Sequence, residues 1–489
     1  MAKYIRSADR SQPMLLPAAV DDYVPRDSPL RALDAFVDSL DLGGLGFAVR
    51  CEGSTGRSSY DPSALLKLYL WGYLKRGRSS RGLEDACASN LGAIWLTGNL
   101  RPDHSTVSDF RKRHPGPLRS MFKEFNLLCL DMGLFGRELV GIDGTFIKAV
   151  NSRAKSFTKT KLVKLIEGID KAVGRYLDQL DTTDAGDDAI ATREADRAEL
   201  EAKIERIKAR KTELEGYLER CAQSATGQVS LSDADSVQLC KGDKRTVGYN
   251  VQAAVDGKHH LVASVELTQE GNDSGQLNAM AQQAKEDMGL EPDAALEVLA
   301  DAGYGTGAEL AACEDNKTVT YVAIQKTRGE NNGLYNEGDF TYEAGTDSYR
   351  CPAGETLARQ ADRPGKGGAG FRVYQNARAC GGCPLKGRCT KGEFRRVHVS
   401  VHKAAVDAAR ERLAGRPGAM RERGAIAEHP FGTIKDRAGR HELLCKGLGL
   451  AKAEMGLSFW AYNFTRAINV LGVERLIEAA RGKGREQAA

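Results

Sequence analysis

The chain has no apolar run approaching the roughly 18 to 20 residues that a membrane-spanning helix needs, so no membrane segment is expected. Its first residues, Met1-Ala2-Lys3-Tyr4-Ile5-Arg6, lack the apolar centre of a secretory leader. Cytoplasm is the expected location. Strong net charge is missing too: +4 over 489 residues does not by itself argue for a nucleic-acid partner. Eleven cysteines, an odd number in a chain read as cytosolic, argue against a disulfide framework. Cys87, Cys129 and Cys445 sit among apolar residues and read as small core side chains. What is present, 41% hydrophobic and 28% charged residues, is the balance of a soluble globular protein. The length exceeds one ordinary core and implies about three or four domains.

Charge is distributed unevenly. Acidic residues gather around Asp178 to Glu205, whereas basic ones cluster at Lys75 to Arg81, Arg111 to Arg113 and Arg421 to Arg440. Local basic patches supply the counterion-release part of DNA affinity. Candidate DNA contacts are therefore Arg76, Arg78, Arg81, Arg111, Arg113, Arg421, Arg423, Arg437 and Arg440. A solvated basic face is the alternative for any one cluster.

Residues 1–57 are loosely patterned and interrupted by Pro13, Pro17, Pro25 and Pro29. Asp61-Pro62 then has the chemistry of an N-cap followed by the first helical position, and Leu65, Leu66, Tyr69, Leu70 and Tyr73 recur at helical spacing. A second helix carries Leu83, Ala86 and Cys87; Asp103 or Ser105 can cap a third with Val107 and Phe110. Three short helices with basic ends look like a DNA-binding module, expected over 1–130. A plain bundle with solvated arginines is the alternative.

Farther on, Leu162 to Leu180 and Leu200 to Leu218 each keep a spacing of three and four, with a polar turn at Thr182 to Asp188. This predicts an inserted antiparallel helical hairpin, 157–225, serving self-association or positioning. Val247 to Val255 and His260 to Leu267 flank Asp256-Gly257, a strong hairpin signal. The order of strand, hairpin, helix, strand, helix, strand and late helix predicts an α/β fold. Its centre is a ribonuclease-H-like mixed sheet core over 131–327 and 399–475, with a small Cys-rich insertion at 328–398.

Three acids occupy telling places. Asp143 follows the apolar run Leu139 to Ile142, Asp301 follows Val298 to Ala300, and Glu428 lies in a basic, helix-like stretch. Carboxylates at strand ends face the crevice in which open α/β sheets place their chemistry. Brought together they would repel one another unless a divalent cation neutralised them, which points to Mg²⁺ or Mn²⁺ and phosphodiester chemistry.

The strings Gly141-Ile142-Asp143-Gly144-Thr145, Val247 to Gln252, Ala300-Asp301-Ala302-Gly303-Tyr304 and Glu428-His429-Pro430-Phe431-Gly432-Thr433-Ile434-Lys435 resemble bacterial insertion-sequence transposases of the DDE class. Leu96 to His104 resembles their N-terminal domain, and the likeness covers roughly residues 40–470. The resemblance implies that Asp143, Asp301 and Glu428 hold two Mg²⁺ ions about 4 Å apart. One ion would activate a water or 3′-hydroxyl and the other would stabilise the leaving oxygen. It assigns Lys435 to a DNA phosphate. Seven residues return almost to the same helix face, although Pro430 predicts a kink or a helix start between the two. The basic residue often found four positions before the Glu is Gly424 here, which leaves Arg421 and Arg423 as substitutes. Asn250, Gln252 and Asp273 follow the resemblance as site-lining or DNA-binding residues, or as plain structure.

Cys380-Gly381-Gly382-Cys383 and Cys389, with Cys351 upstream, have the spacing of a tetrahedral structural Zn²⁺ site. The alternatives are free thiols, His398 as a substitute ligand, or a redox pair. Taken together, a transposase is expected that binds the terminal inverted repeats of its element, cuts there, and joins the ends to target DNA. Pairing two ends requires a homodimer or higher oligomer, with the helical hairpin and Met455 to Leu476 as candidate interfaces. The rivals are a metal-dependent nuclease without strand transfer and a non-enzymatic DNA-binding regulator.

Overall fold

The local chemistry read at Asp61 is present: its carboxylate accepts the Ser63 N–H at 2.9 Å, with Pro62 opening the helix Pro62–Lys75. Asp103, rather than Ser105, caps His104–Arg113 by accepting the Thr106 N–H at 2.7 Å. This computed structural model describes residues 19–47, 59–184, 190–241, 244–324, 333–360, 362–364, 370–437 and 442–488. The chain divides into two units, Met1–Leu134 with Met455–Ala489, and Phe135–Glu454.

The first unit is helical: Pro29–Asp38, Pro62–Lys75, Ser80–Ser89, Leu91–Leu96, His104–Arg113 and Pro115–Asp131, closed by the end of Leu448–Leu471 and by Val473–Ala488. Phe36, Tyr69, Phe125, Phe459, Trp460 and Phe464 are fully buried. The Trp460 ring stacks on Phe464 at 4.9 Å and meets Phe125 edge-on at 6.1 Å. Leu457 to Asn463 thus does pack a core, but in this unit. Residues 455–475, grouped by sequence with the catalytic core, lie with the N-terminal helices. Their aromatic face is spent on packing there.

The second unit is built on a mixed sheet of β1 (Leu139–Lys148), β2 (Val237–Lys241), β3 (Lys244–Asp256), β4 (Val262–Thr268), β5 (Leu296–Ala300) and β6 (Thr318–Val322). The order is β2-β3-β1-β5-β6, with β4 beside β3. β3 runs antiparallel to β1, β2 and β4, whereas β5 and β6 run parallel to β1. Val140, Ile142, Val251, Ala253, Val298 and Leu299 are wholly buried in this sheet. The Asp-Gly hairpin exists, with a longer connection than a two-residue turn. Asp256 ends β3, fully buried, and its carboxylate accepts the N–H groups of Gly136, Arg137 and Lys258 at 2.9 to 3.0 Å. The chain then reaches Val262 through His260 at φ 56°.

Two insertions depart from the sheet. Helices Lys159–Asp184 and Ile190–Gln223 form the hairpin, tied at its base by strands Ser156–Thr158 and Gln228–Ser230 and by a core of Phe157, Leu162, Leu214, Cys221 and Val229. Lys211 joins the two helices through Asp170 at 2.5 Å. Most of the turn expected at Thr182 to Asp188 lies outside the described residues. The Cys-rich insertion contains more structure than a metal-stapled loop. Thr341 to Ser400 builds an antiparallel sheet around Phe340, Tyr349, Leu357, Tyr374, Val397 and Val399. Among the described residues no helix is long and apolar enough to cross a membrane.

Candidate active site

Asp143 is a mid-strand residue, not a strand end: β1 continues to Lys148 along β3, where Asp143 pairs with Ala253. What stops is the parallel partner. β5 leaves β1 after Gly141, opposite Leu299, two residues before Asp143. Past that point this edge of β1 is left uncovered until Lys148, which bridges Glu442, and this gap makes the crevice. Asp301 follows the last residue of β5 directly, and its Oδ1 accepts the Gly303 N–H at 2.7 Å. The helix Ala419–Arg437 lies across the same place. A Cβ on Gly141 would stand 3.0 Å from Ile426 and 3.2 Å from Ala427, the residue before Glu428. Pro430 sits inside this helix and neither begins nor ends it.

The three acids therefore converge on one end of the sheet from three elements. Arg423 links two of them: its Nη1 is 3.5 Å from Asp143 Oδ2 and its Nη2 is 2.9 Å from Glu428 Oε1. The Glu428 side chain stays 61% exposed. Among the described residues no three His, Cys, Asp or Glu side chains are gathered tightly enough to hold a metal ion. The guanidinium, wider than a metal ion, spans the gap between Asp143 and Glu428.

Beneath the acids is a buried polar network. The Tyr304 hydroxyl donates to Gln252 Oε1. Gln252 Nε2 in turn donates to Asp273 Oδ1 at 2.8 Å, as does Asn250 Nδ2 at 3.1 Å. Asn250, Gln252 and Tyr304 are 0% exposed, so the two amides are internal and cannot be the DNA contacts expected of them. Their donors fix Asp273 instead. Burial first, then the carboxylates of Asp273, Asp143 and Asp301, hold the Tyr304 phenol well above its ordinary pKa, protonated and donating. Gly144 is required by this packing. A Cβ there would lie 2.4 Å from Gln252 Nε2, 2.7 Å from Asp273 Oδ1 and 3.0 Å from the Tyr304 hydroxyl. Gly144, Thr145, Asp273 and Lys435 line one cavity of about 260 Å³ beside the acids.

The other expected DNA contacts are scattered. Arg421 is exposed on the Glu428 helix, the Arg437 side chain is not described, and Arg440 lies outside the described residues. In the helical unit, Arg76, Arg81 and Arg113 are exposed and Arg78 is half-buried. Arg111 is a correction: it is buried, with its guanidinium 6.0 Å from the Tyr69 ring, because its helical position faces the core.

Residues 18–113 match the family described as Transposase domain (DUF772), and residues 224–379 and 350–468 match two families each described as Transposase DDE domain. The chain belongs to the DDE transposases. The two DDE matches contain Asp301 and Glu428. Asp143 lies outside all three matches, and its place beside the other acids is a finding of the fold. No curated protein matches this transposase. A solved cryo-EM structure of a piggyBac transposase synaptic complex with hairpin DNA is similar over 94% of this chain and 82% of that one. Its 8% identity and TM-score of 0.33 are too low to carry an argument.

The transposase has a second constellation in its inserted sheet. Cys351, Cys380, Cys383 and Cys389 line one cavity of about 30 Å³ with Tyr335, Phe340 and Leu357. All four are free thiols. Cys351 opens a tight turn in which the Gly354 N–H donates back to its carbonyl, with Gly354 at φ 83°. Burial pushes the Cys389 thiol up, against the opposing charge of Arg395, with smaller upward pushes from Cys380, Cys351 and Cys383. His398 does not line this cavity; it sits in the strand Arg396–Ser400, 6.5 Å from the Phe371 ring. Sequence reasoning named the acids and thiols, but it missed the Tyr304–Gln252–Asp273 chain and the Arg423 bridge. The signal for the first was the period of two that puts Asn250 and Gln252 on the same face of a strand.

Proposed function

We propose that this transposase binds the terminal inverted repeats of an insertion sequence, cuts the DNA at their ends, and joins the 3′-hydroxyls to target DNA. The observation that carries this reading is the convergence of Asp143, Asp301 and Glu428 beside the stretch of β1 that β5 leaves uncovered. The strand order supports a ribonuclease-H-like core: an antiparallel β1-β3-β4 series continued by β5 and β6 parallel to β1. Asp143 and Glu428 already share a cation, Arg423, and an all-carboxylate oxygen set suits Mg²⁺ or Mn²⁺. Bound at these acids, such ions would supply Lewis-acid stabilisation of the charge that develops on the phosphodiester oxygens.

The chain's own groups do the rest. Asn250 and Gln252 hold Asp273, and Gln252 ties it to Tyr304, so that the floor of the crevice is rigid. Lys435, on the cavity wall, offers its ammonium to a DNA phosphate. The exposed Arg76, Arg81 and Arg113 give the helical unit its attraction for the duplex. The hairpin arm serves pairing of two DNA ends in a dimer or larger assembly. For the four cysteines the reading is a structural Zn²⁺: the one cavity they share supports it, and the sulfurs would have to draw closer than they stand to bind the ion.

The test uses purified protein, Mg²⁺ and a labelled duplex carrying the ends that flank its gene, beside Asp301→Ala. New 3′-hydroxyl ends and joined products from the wild type alone support the proposal. Cutting without joining makes the protein a nuclease. Binding without cutting makes it a regulator.

A further inference from the structure

We propose that Arg423 is a built-in counterion that occupies the cation position between Asp143 and Glu428 and must leave before a divalent metal can be held there; this rests on the proposed metal-dependent reading of the three acids. The pairing is not a by-product of helix geometry. Arg423 and Glu428 are five residues apart on one helix, whereas helix neighbours meet at three or four. The guanidinium reaches Glu428 because it is drawn under the helix towards Asp143 on β1. It is largely enclosed, 14% exposed. Its Nη1 is buried without a hydrogen-bond partner among the described residues, although it stands 3.5 Å from Asp143 Oδ2. A buried guanidinium nitrogen that faces a carboxylate at ion-pair distance yet makes no hydrogen bond is held by charge more than by fit.

The distances show why the two cations exclude each other. The guanidinium nitrogens stand 3.5 and 2.9 Å from the two oxygens, whereas Mg²⁺ takes its oxygens at about 2.1 Å. A metal therefore requires Glu428 to close in on Asp143, through the space Arg423 fills. Gly424 leaves Glu428 room for that movement: a Cβ there would meet only the Glu428 carboxylate, at 3.6 Å. Without Arg423 the acids would repel one another. With it, they stay close at the cost of competing with the metal.

The test is Mn²⁺ binding to the full-length protein, without DNA, by calorimetry, together with melting in EDTA and in Mn²⁺. Arg423→Gln should bind Mn²⁺ on the order of tenfold more tightly than the wild type, the effect of removing one close competing charge. Its melting temperature should fall in EDTA and recover in Mn²⁺ by more than that of the wild type. Arg423→Lys, which keeps the charge, should stay near wild-type affinity. Unchanged, weaker or absent Mn²⁺ binding in Arg423→Gln overturns the proposal. Asp143→Asn separates it from the underlying reading: if that variant binds Mn²⁺ like the wild type, the acids are not the metal site at all.

Discussion

The acid crevice and the cysteine cavity are opposites in chemistry, enclosure and origin. The acids are hard oxygen donors drawn from positions as distant as 143 and 428, and one of them, Glu428, is mostly in solvent. The cysteines are soft donors within 351–389, facing an apolar cavity. A hard, partly open site keeps water and substrate within reach, as phosphoryl chemistry requires. Four thiols drawn onto one ion would leave no position for a reactant, which suits a structural role. The same chain thus separates a site assembled by the whole fold from one assembled by a local sheet.

Breaking the acid site should have the largest effect. Asp143→Asn or Glu428→Gln should lower DNA cleavage by on the order of a thousandfold or more, with duplex binding retained in a gel-shift assay. Breaking the thiol site should act on the fold instead. Cys383→Ser should abolish bound zinc, read by elemental analysis, and lower the melting temperature by several degrees, while Mn²⁺ binding at the acids stays unchanged. Equal loss at both sites would dissolve the comparison.

The two sites also differed in how far the sequence revealed them. The cysteine set was legible from spacing alone, since short separations limit where the sulfurs can go. Asp143 and Asp301 were legible as strand-associated carboxylates and Glu428 as a helical one, but not the reason for the crevice: Asp143 borders it because β5 ends early, a pairing fact that no local pattern contains. The resemblance left Asn250 and Gln252 open to a site-lining, DNA-binding or plainly structural reading, and pattern alone could not show that their face of the strand is covered by Asp273 and Tyr304. Arg111 failed for the same reason, its helix turning it towards Tyr69. Trp460 and its neighbours read correctly as core, while the unit they complete depends on contacts with Phe36 and Phe125, far away in sequence.

Smaller effects sharpen the contrast. Gln252→Leu leaves the Tyr304 hydroxyl and Asp273 without their shared partner, which should cost about 1 to 3 kcal/mol in chemical denaturation and slow cleavage without touching zinc content. Arg113→Gln should change duplex affinity only slightly and reduce the slope of affinity against salt by about one phosphate contact, whereas Arg111→Gln should act through stability.

The most direct test of the acid site is a change of ligand hardness at one carboxylate. Asp301→Cys should be inactive on the labelled duplex in Mg²⁺ and regain cleavage in Mn²⁺, because a thiolate holds the softer ion better. Wild-type cleavage by that variant in Mg²⁺, or metal-independent cleavage by the unmodified protein, would contradict the assignment of Asp301 to the metal.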